Sequence, residues 1–216
     1  MGANAGSDAL IQCEVRLLRQ TIRLAALATL FGLTLIISAC SALQEKDICG
    51  CLPQEPDIAD YRHAAKHLPL PNITPQEITV QTILGWPQTP FMAPDAPRTG
   101  RELQLFHVSH AFLQNASINP ADCDIHIEIS QTADKNAPRV VVETPIDAEY
   151  CPARRQIQSQ LAKHGFQLDV QHGGELPQPL SAEILGMAFE DFEHNRGSAQ
   201  VATLWELHPA IVTLTQ

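Results

Sequence analysis

Aromatic residues make up only 5% of the 216 positions, and positive charge is scarce: 14 Lys+Arg stand against 24 Asp+Glu, a formal net charge of −10. Few aromatic rings argue against a base-stacking platform. The negative balance makes nucleic-acid binding through a general basic surface an unfavourable reading, because such a chain repels phosphate. There is no G-x-S-x-G nucleophile elbow, no P-loop and no dinucleotide fingerprint, so the usual sequence grounds for a serine hydrolase, a nucleotide hydrolase or a nicotinamide enzyme are missing. Ser109-His110 and Ser198 lack an elbow, and Gly173-Gly174 reads as a loop turn. No internal repeat or long low-complexity segment is visible. The remaining composition, 44% apolar and 18% charged, is that of a globular domain rather than a disordered chain.

The first forty residues read as an address. Arg16, Arg19 and Arg23 precede the uncharged run Leu24–Ile37, short of the ~20 residues of a bilayer span and right for a signal-peptide apolar region of about 7–15. The run ends Ile37-Ser38-Ala39-Cys40, which resembles a bacterial lipobox. That resemblance implies cleavage before Cys40 and a diacylglyceryl group on its thiol; two or more acyl chains anchor stably where one does not. Ser41 in place of Asp resembles an outer-membrane sorting signal. An uncleaved anchor helix over Thr21–Ala39, slightly short and needing tilt, is the alternative. Both place the bulk of the chain outside the cytoplasm, in the cell envelope facing periplasm or exterior. Removal of residues 1–39 takes three basic and two acidic residues and leaves a net charge of −11.

Of six cysteines, Cys13 lies in the signal and Cys40 is the lipid acceptor. Cys49, Cys51, Cys123 and Cys151 remain, an even number that suits disulfides in an oxidising compartment. Cys49-Gly50-Cys51 is too tight for an easy internal bridge. The favoured pattern joins each of them to Cys123 or Cys151, and a lone Cys123–Cys151 bridge competes. A C-x-C without a second close pair is a weak zinc signal.

Residues 40–76 read as a Pro-rich tether with one short helix near Asp57–His67, in which His63 and His67 form an exposed i, i+4 pair. Residues 77–216 read as the folded domain. Thr79–Leu84 suggests a lead-in strand and residues 86–98 a proline-broken loop. A first long strand runs from about Leu103 to Leu113, with a turn over Asn115–Ala121. In Cys123–Ser130, Ile125, Ile127 and Ile129 alternate with Asp124, His126 and Glu128, a one-sided strand. Arg139–Thr144 is the third strand, after a polar loop over Gln131–Pro138. Pro152 opens a helix over Ala153–Gly165, with Gly165 as its natural C-terminal stop. A loop over His172–Pro179 leads to strands at about Ala182–Phe189 and Val201–Thr213, separated by a polar turn over Glu190–Gln200.

This β-β-β-α-β-β order resembles the OB-fold, a small five-stranded barrel with its helix between strands three and four. The expected class is therefore mainly β; a two-layer α+β sheet is the competitor. The second half also resembles a group of bacterial proteins, through Asp124-Ile125-His126, Val142-Glu143-Thr144-Pro145, Cys151, Ala153-Arg154, Phe189 to Phe192 with His194, and Glu206-Leu207-His208-Pro209. That resemblance implies a shared fold and shared polar positions, and supplies no reaction.

Parity singles out a polar set: Asp124, His126 and Glu128 on strand two, Glu206 and His208 on strand five opposite Trp205, Leu207 and Ile211, with Glu143, Asp191, Glu193 and His194 at strand ends. One reading is a divalent-metal site of His126, His208 and one or more of Asp124, Glu143 and Glu206, with Arg139 or Arg154 holding an anion such as phosphate and a spare carboxylate as base. In this respect Glu143-Thr144-Pro145 resembles staphylococcal-nuclease-like domains, whose acid and Thr-Pro also follow strand three. Here Glu replaces the usual Asp, and Ile146 stands where an acid is usual. The other reading is a solvated strand face or a structural hydrogen-bond network. On that reading the protein is a non-catalytic binding or assembly module, with a protein or glycan partner on the polar strand face, no required cofactor and no nucleic acid.

Overall fold

The computed structural model describes residues 47–54, 61–89, 92–192 and 197–215. The signal region with Cys13 and Cys40, the start of the expected tether helix, Glu193 and His194 lie outside the described residues. In chain order the elements are α1 (His63–Lys66), β1 (Gln76–Glu77), α2 (Val80–Leu84), a 3-10 turn (Gly100–Leu103), β2 (Leu105–Ile118), β3 (Ile125–Ser130), β4 (Arg139–Thr144), α3 (Cys151–Lys163, led in by a 3-10 turn at Ala148–Tyr150), β5 (Gly174–Glu190) and β6 (Val201–Leu214).

The strands β2-β3-β4-β6-β5 pair in that order, and β5 returns to β2, closing a five-stranded mixed barrel. The fold is mainly β with one long helix between the third and fourth barrel strands, the OB-like order. One pairing in the wall, β4 with β6, is parallel; the others are antiparallel. β2 pairs with β5 along residues 105–116 and with β3 along residues 112–118, and its register shifts between Leu113 and Asn115 in both pairings; such bulges bend a strand and sharpen its twist. Inside, Ile125, Ile127, Ile129, Val140, Val142 and Leu207 have no exposed surface. Burying a side chain of this size contributes about 1.5–3 kcal/mol. α3 carries Pro within its first turn, buries Ile157 and Leu161, and stops before Gly165 at φ 74°.

Four local expectations change. Thr79–Leu84 is a capped helix, not a strand: Thr82 N donates to Thr79 Oγ1 at 3.1 Å, and Val80 and Ile83 enter the core. The first long strand runs on to Ile118, through most of the expected turn. His172–Pro179 is largely strand, because Gly174 and Glu175 pair with Ala116 and Asn115. Ile211 does not share the inner face with Leu207: a register shift between Gly186 and Ala188 reverses the parity, so Ala210 and Val212 point inward instead.

The expected tether also differs where it is described. From Asp47 the chain belongs to one compact unit with the barrel. Disulfides Cys49–Cys151 and Cys51–Cys123 fix it there, matching the favoured pairing. Further along, Arg62 is buried and paired with Glu102 at 2.7 and 2.8 Å, donates to Glu190 O at 3.1 Å and holds Pro97 and Ala96 carbonyls. Residues 47–54, 61–89 and 92–103 therefore lie against the barrel as a strap that adds Ile48, Val80 and Ile83 to the core, held by covalent and ionic contacts that local sequence pattern does not display.

Candidate functional site

Register builds the centre of the site. On the outer side of the wall, His126 of β3 lies opposite Glu143 of β4. β4 and β6 pair Val141 with Glu206 and Val142 with Leu207, which brings Glu143 level with His208. A ladder of histidine, glutamate and histidine thus crosses three strands, with Glu206 one turn of the pleat away and Asp124 at the mouth of β3.

The ladder is in contact. His126 Nδ1 lies 3.0 Å from Glu143 Oε1. His208 Nδ1 lies 2.9 Å from Glu143 Oε2 and 3.4 Å from Glu206 Oε1, and its Nε2 lies 3.3 Å from Asp124 Oδ2. Asp124 Oδ1 accepts from Ile146 N at 2.8 Å, which fixes the carboxylate. His208, Asp124 and Glu206 are fully or almost fully buried, and Glu143 is 8% exposed. The expected solvated strand face is therefore an interior, because the strap lies over it.

The strap supplies the cations. Arg98 donates to Ala65, Glu102 and Ala188 carbonyls and to His208 O. Arg62, Lys66 and Arg98 surround the Phe189 ring at 4.6, 5.5 and 5.2 Å from its centroid, and that ring lies 6.1 Å from His208. His67 is not part of an exposed pair: it stacks on His63 at 4.0 Å, lies 5.8 Å from the His208 ring, and pairs with Asp147 at 2.7 Å.

The electrostatics follow from this packing. Burial opposes charge on His208, but Asp124, Glu143 and Glu206 outweigh it and raise its pKa well above the usual imidazole value. Burial likewise opposes charge on His126, and Glu128 and Glu143 hold it at about 10. Burial pushes Glu143 up, yet His126, His208 and Lys66 bring it well below the usual carboxylate range. Asp122 is pushed up to about 7 by burial and by the charges of Asp124 and Glu143. The carboxylates of the centre therefore hold protons on both histidines.

The two arginines expected to hold an anion are committed elsewhere. Arg154 is buried and donates to Ile48 O at 2.8 and 3.1 Å, Thr144 O at 2.8 Å and Cys123 O at 2.8 Å. It staples strap, strand and loop together. Arg139 joins Glu128 at 2.9 Å, Glu175, and Lys135 O at 2.8 Å. Neither presents a free guanidinium fork to a phosphate. Glu128 completes the second cluster, accepting from Ser198 N at 2.7 Å and lying 3.8 Å from His126 Nε2.

Sequence parity brought Asp124, His126, Glu206 and His208 onto one side, and Glu143 joins them. It missed Arg62, Lys66, His67, Arg98, Glu102 and Phe189. The i, i+4 histidines were visible, but nothing local tied them to residues far along the chain. Two groups of three offer ligand atoms within 4.8 Å of one another: His67, Asp124 and His208, and Glu143, Glu206 and His208. Both are compatible with a divalent cation. No protein-family model matches the chain, no curated protein matches it significantly, and no solved structure matches it significantly.

Proposed function

We propose that this protein is a lipid-anchored, extracytoplasmic module of the bacterial cell envelope that binds or assembles with another envelope component and performs no reaction. The observation that carries this reading is the enclosure of the acid–histidine centre: its side chains are buried beneath a strap held by two disulfides. A hydrolase or phosphodiesterase needs its water and its anion-holding cations open to substrate. Here the histidines face carboxylates, and the arginines face carbonyls and carboxylates. The disulfides suit an oxidising compartment, and the lipobox-like Ile37-Ser38-Ala39-Cys40 supplies the anchor.

The polar strand face, being covered, does not serve as the recognition surface. Among the described residues the exposed large apolar side chains are Leu52, Ile73, Leu103, Val170 and Phe192. Three of these belong to the strap, so its outer side is where this reading places the protein partner.

The test is made in bacterial cells with the full chain. A clickable fatty acid should label the wild type and leave Cys40→Ala unlabelled. A photo-crosslinking residue at Leu52 or Leu103 should capture a discrete envelope protein. A wild type that stays unlabelled, or crosslinks that trace only to the protein itself, would overturn the reading.

A further inference from the structure

We infer that Glu143, Glu206 and Nδ1 of His208 form a divalent metal site inside the strap, of the zinc or manganese class, with the Asp124 carboxylate beside the other ring nitrogen. The inference stands on geometry and is independent of where the protein is anchored.

Three observations carry it. First, the donor set is right. Two carboxylates and one imidazole, which gives up its proton as the metal binds, suit zinc or manganese, and the carboxylates balance a double positive charge. Second, the spacing is right. Ligand bonds of about 2.1 Å at tetrahedral to octahedral angles put neighbouring ligand atoms about 2.9–3.4 Å apart. His208 Nδ1 stands 2.9 Å from Glu143 Oε2 and 3.4 Å from Glu206 Oε1. Third, His208 is completely buried, yet neither of its ring nitrogens makes a hydrogen bond, and neither does Asp124 Oδ2. A buried imidazole without a hydrogen bond at either nitrogen costs about 1–3 kcal/mol for each group left unsatisfied. Its atoms sit close to carboxylate oxygens but are not oriented to exchange a proton with them. A cation held beside Nδ1 satisfies that nitrogen directly.

The surroundings match such a centre. Asp124 Oδ2, 3.3 Å from His208 Nε2, occupies the place of the carboxylate that orients a metal-bound histidine. His126 holds Oε1 of Glu143, leaving Oε2 for the metal. Glu143, Glu206 and His208 all lie on the paired strands β4 and β6, a rigid frame that fixes ligand positions better than loops do. Burial of all three makes the site structural: a brace between the parallel strands rather than a reaction centre. Metal and proton compete for Nδ1, so affinity should rise with pH.

The experiment uses the full chain purified without a polyhistidine tag. Zinc and manganese are measured by elemental mass spectrometry, as purified and after addition of each metal, and the thermal midpoint is followed in parallel. The expected result is about one metal per chain and a higher midpoint with metal. Glu143→Gln and Glu206→Gln, which keep the side-chain volume, should each bind metal less well by at least tenfold, and Asp124→Asn by about 10–100-fold. Replacement of His107, which is half-buried and pairs with Glu77 away from the three ligands, should leave metal binding unchanged. Wild type that takes up neither metal and shows no shift in midpoint overturns the site, whatever the variants do. So does stoichiometric metal retained by both glutamine variants. If a variant fails to fold, the wild-type stoichiometry and shift still decide.

Discussion

The disulfides should carry a large share of this protein's stability, and the share can be worked out. Cys49–Cys151 spans 102 positions of sequence and Cys51–Cys123 spans 72. In the loop-entropy account, cross-links of these lengths remove about 4.7 and 4.4 kcal/mol of unfolded-chain freedom. The two are not independent. Once the first is closed, the second closes a path of only about 30 residues through the first bridge, worth about 3.7 kcal/mol. Removing both should therefore cost about 8 kcal/mol rather than the sum of the single effects. That approaches or exceeds the whole stability of many domains. The assay is urea unfolding of Cys49→Ala/Cys151→Ala, Cys51→Ala/Cys123→Ala and the fourfold variant, followed by both circular dichroism and tryptophan fluorescence. Each pair variant should lose about 3–5 kcal/mol, and the fourfold variant should be largely unfolded. Pair variants that each lose less than about 1 kcal/mol would refute the reasoning, since the strap would then constrain nothing in the unfolded chain.

The Glu128 carboxyl, raised by burial but held at about 2 by His126, Ser198 and Arg139, has a folded pKa below its ordinary value. Its contribution of about 3 kcal/mol is thus present above pH ~4.5 and lost as pH falls towards 2. Urea titrations between these limits should show the decline, flattened in Glu128→Gln. Glu102→Gln leaves the Arg62 guanidinium buried without its carboxylate and should cost about 3–5 kcal/mol; Arg62→Met/Glu102→Gln should lose less than the single Arg62 and Glu102 losses added together, which a double-mutant cycle measures. Gly186→Ala places a Cβ 2.7 Å from Ala210 Cβ and 3.0 Å from Pro209 O, so overpacking of about 1–3 kcal/mol is expected from thermal unfolding.

The wall of the barrel was written locally and the lid over it was not. Alternating isoleucines in Ile125–Ile129 and the valines of Arg139–Thr144 announced their strands because period-2 burial is a short-range property. Pro152 and Gly165 marked the helix ends for equally local reasons. Cys49 and Cys51 pointed to Cys123 and Cys151 through simple counting. The polar face was harder. An alternating Asp-Ile-His-Ile-Glu looks identical whether water or a strap covers its polar side. What decides is Arg62 finding Glu102 and Glu190 O, and Arg98 finding His208 O, contacts across tens to over a hundred residues. The arginines misled for the same reason: a guanidinium satisfied by carbonyls and one waiting for phosphate share one letter. Ile211 misled because a register shift opposite Gly186 breaks the parity count.

The parallel pairing of β4 with β6 has a consequence for the order in which the molecule is completed. Glu143 meets His208 only when the final strand slides in beside a strand finished some sixty residues earlier. A chain made from its N-terminus exposes Arg62 and the cysteines of the strap before Glu102, Cys123 and Cys151 exist. Until β6 arrives the barrel is an open sheet with two bare edges, and no centre is there to enclose. Distant pairings of this kind are slow to form. Val201–Leu214 is therefore the closing piece: a chain truncated ahead of it has neither a sealed barrel nor His208 for the strap to cover.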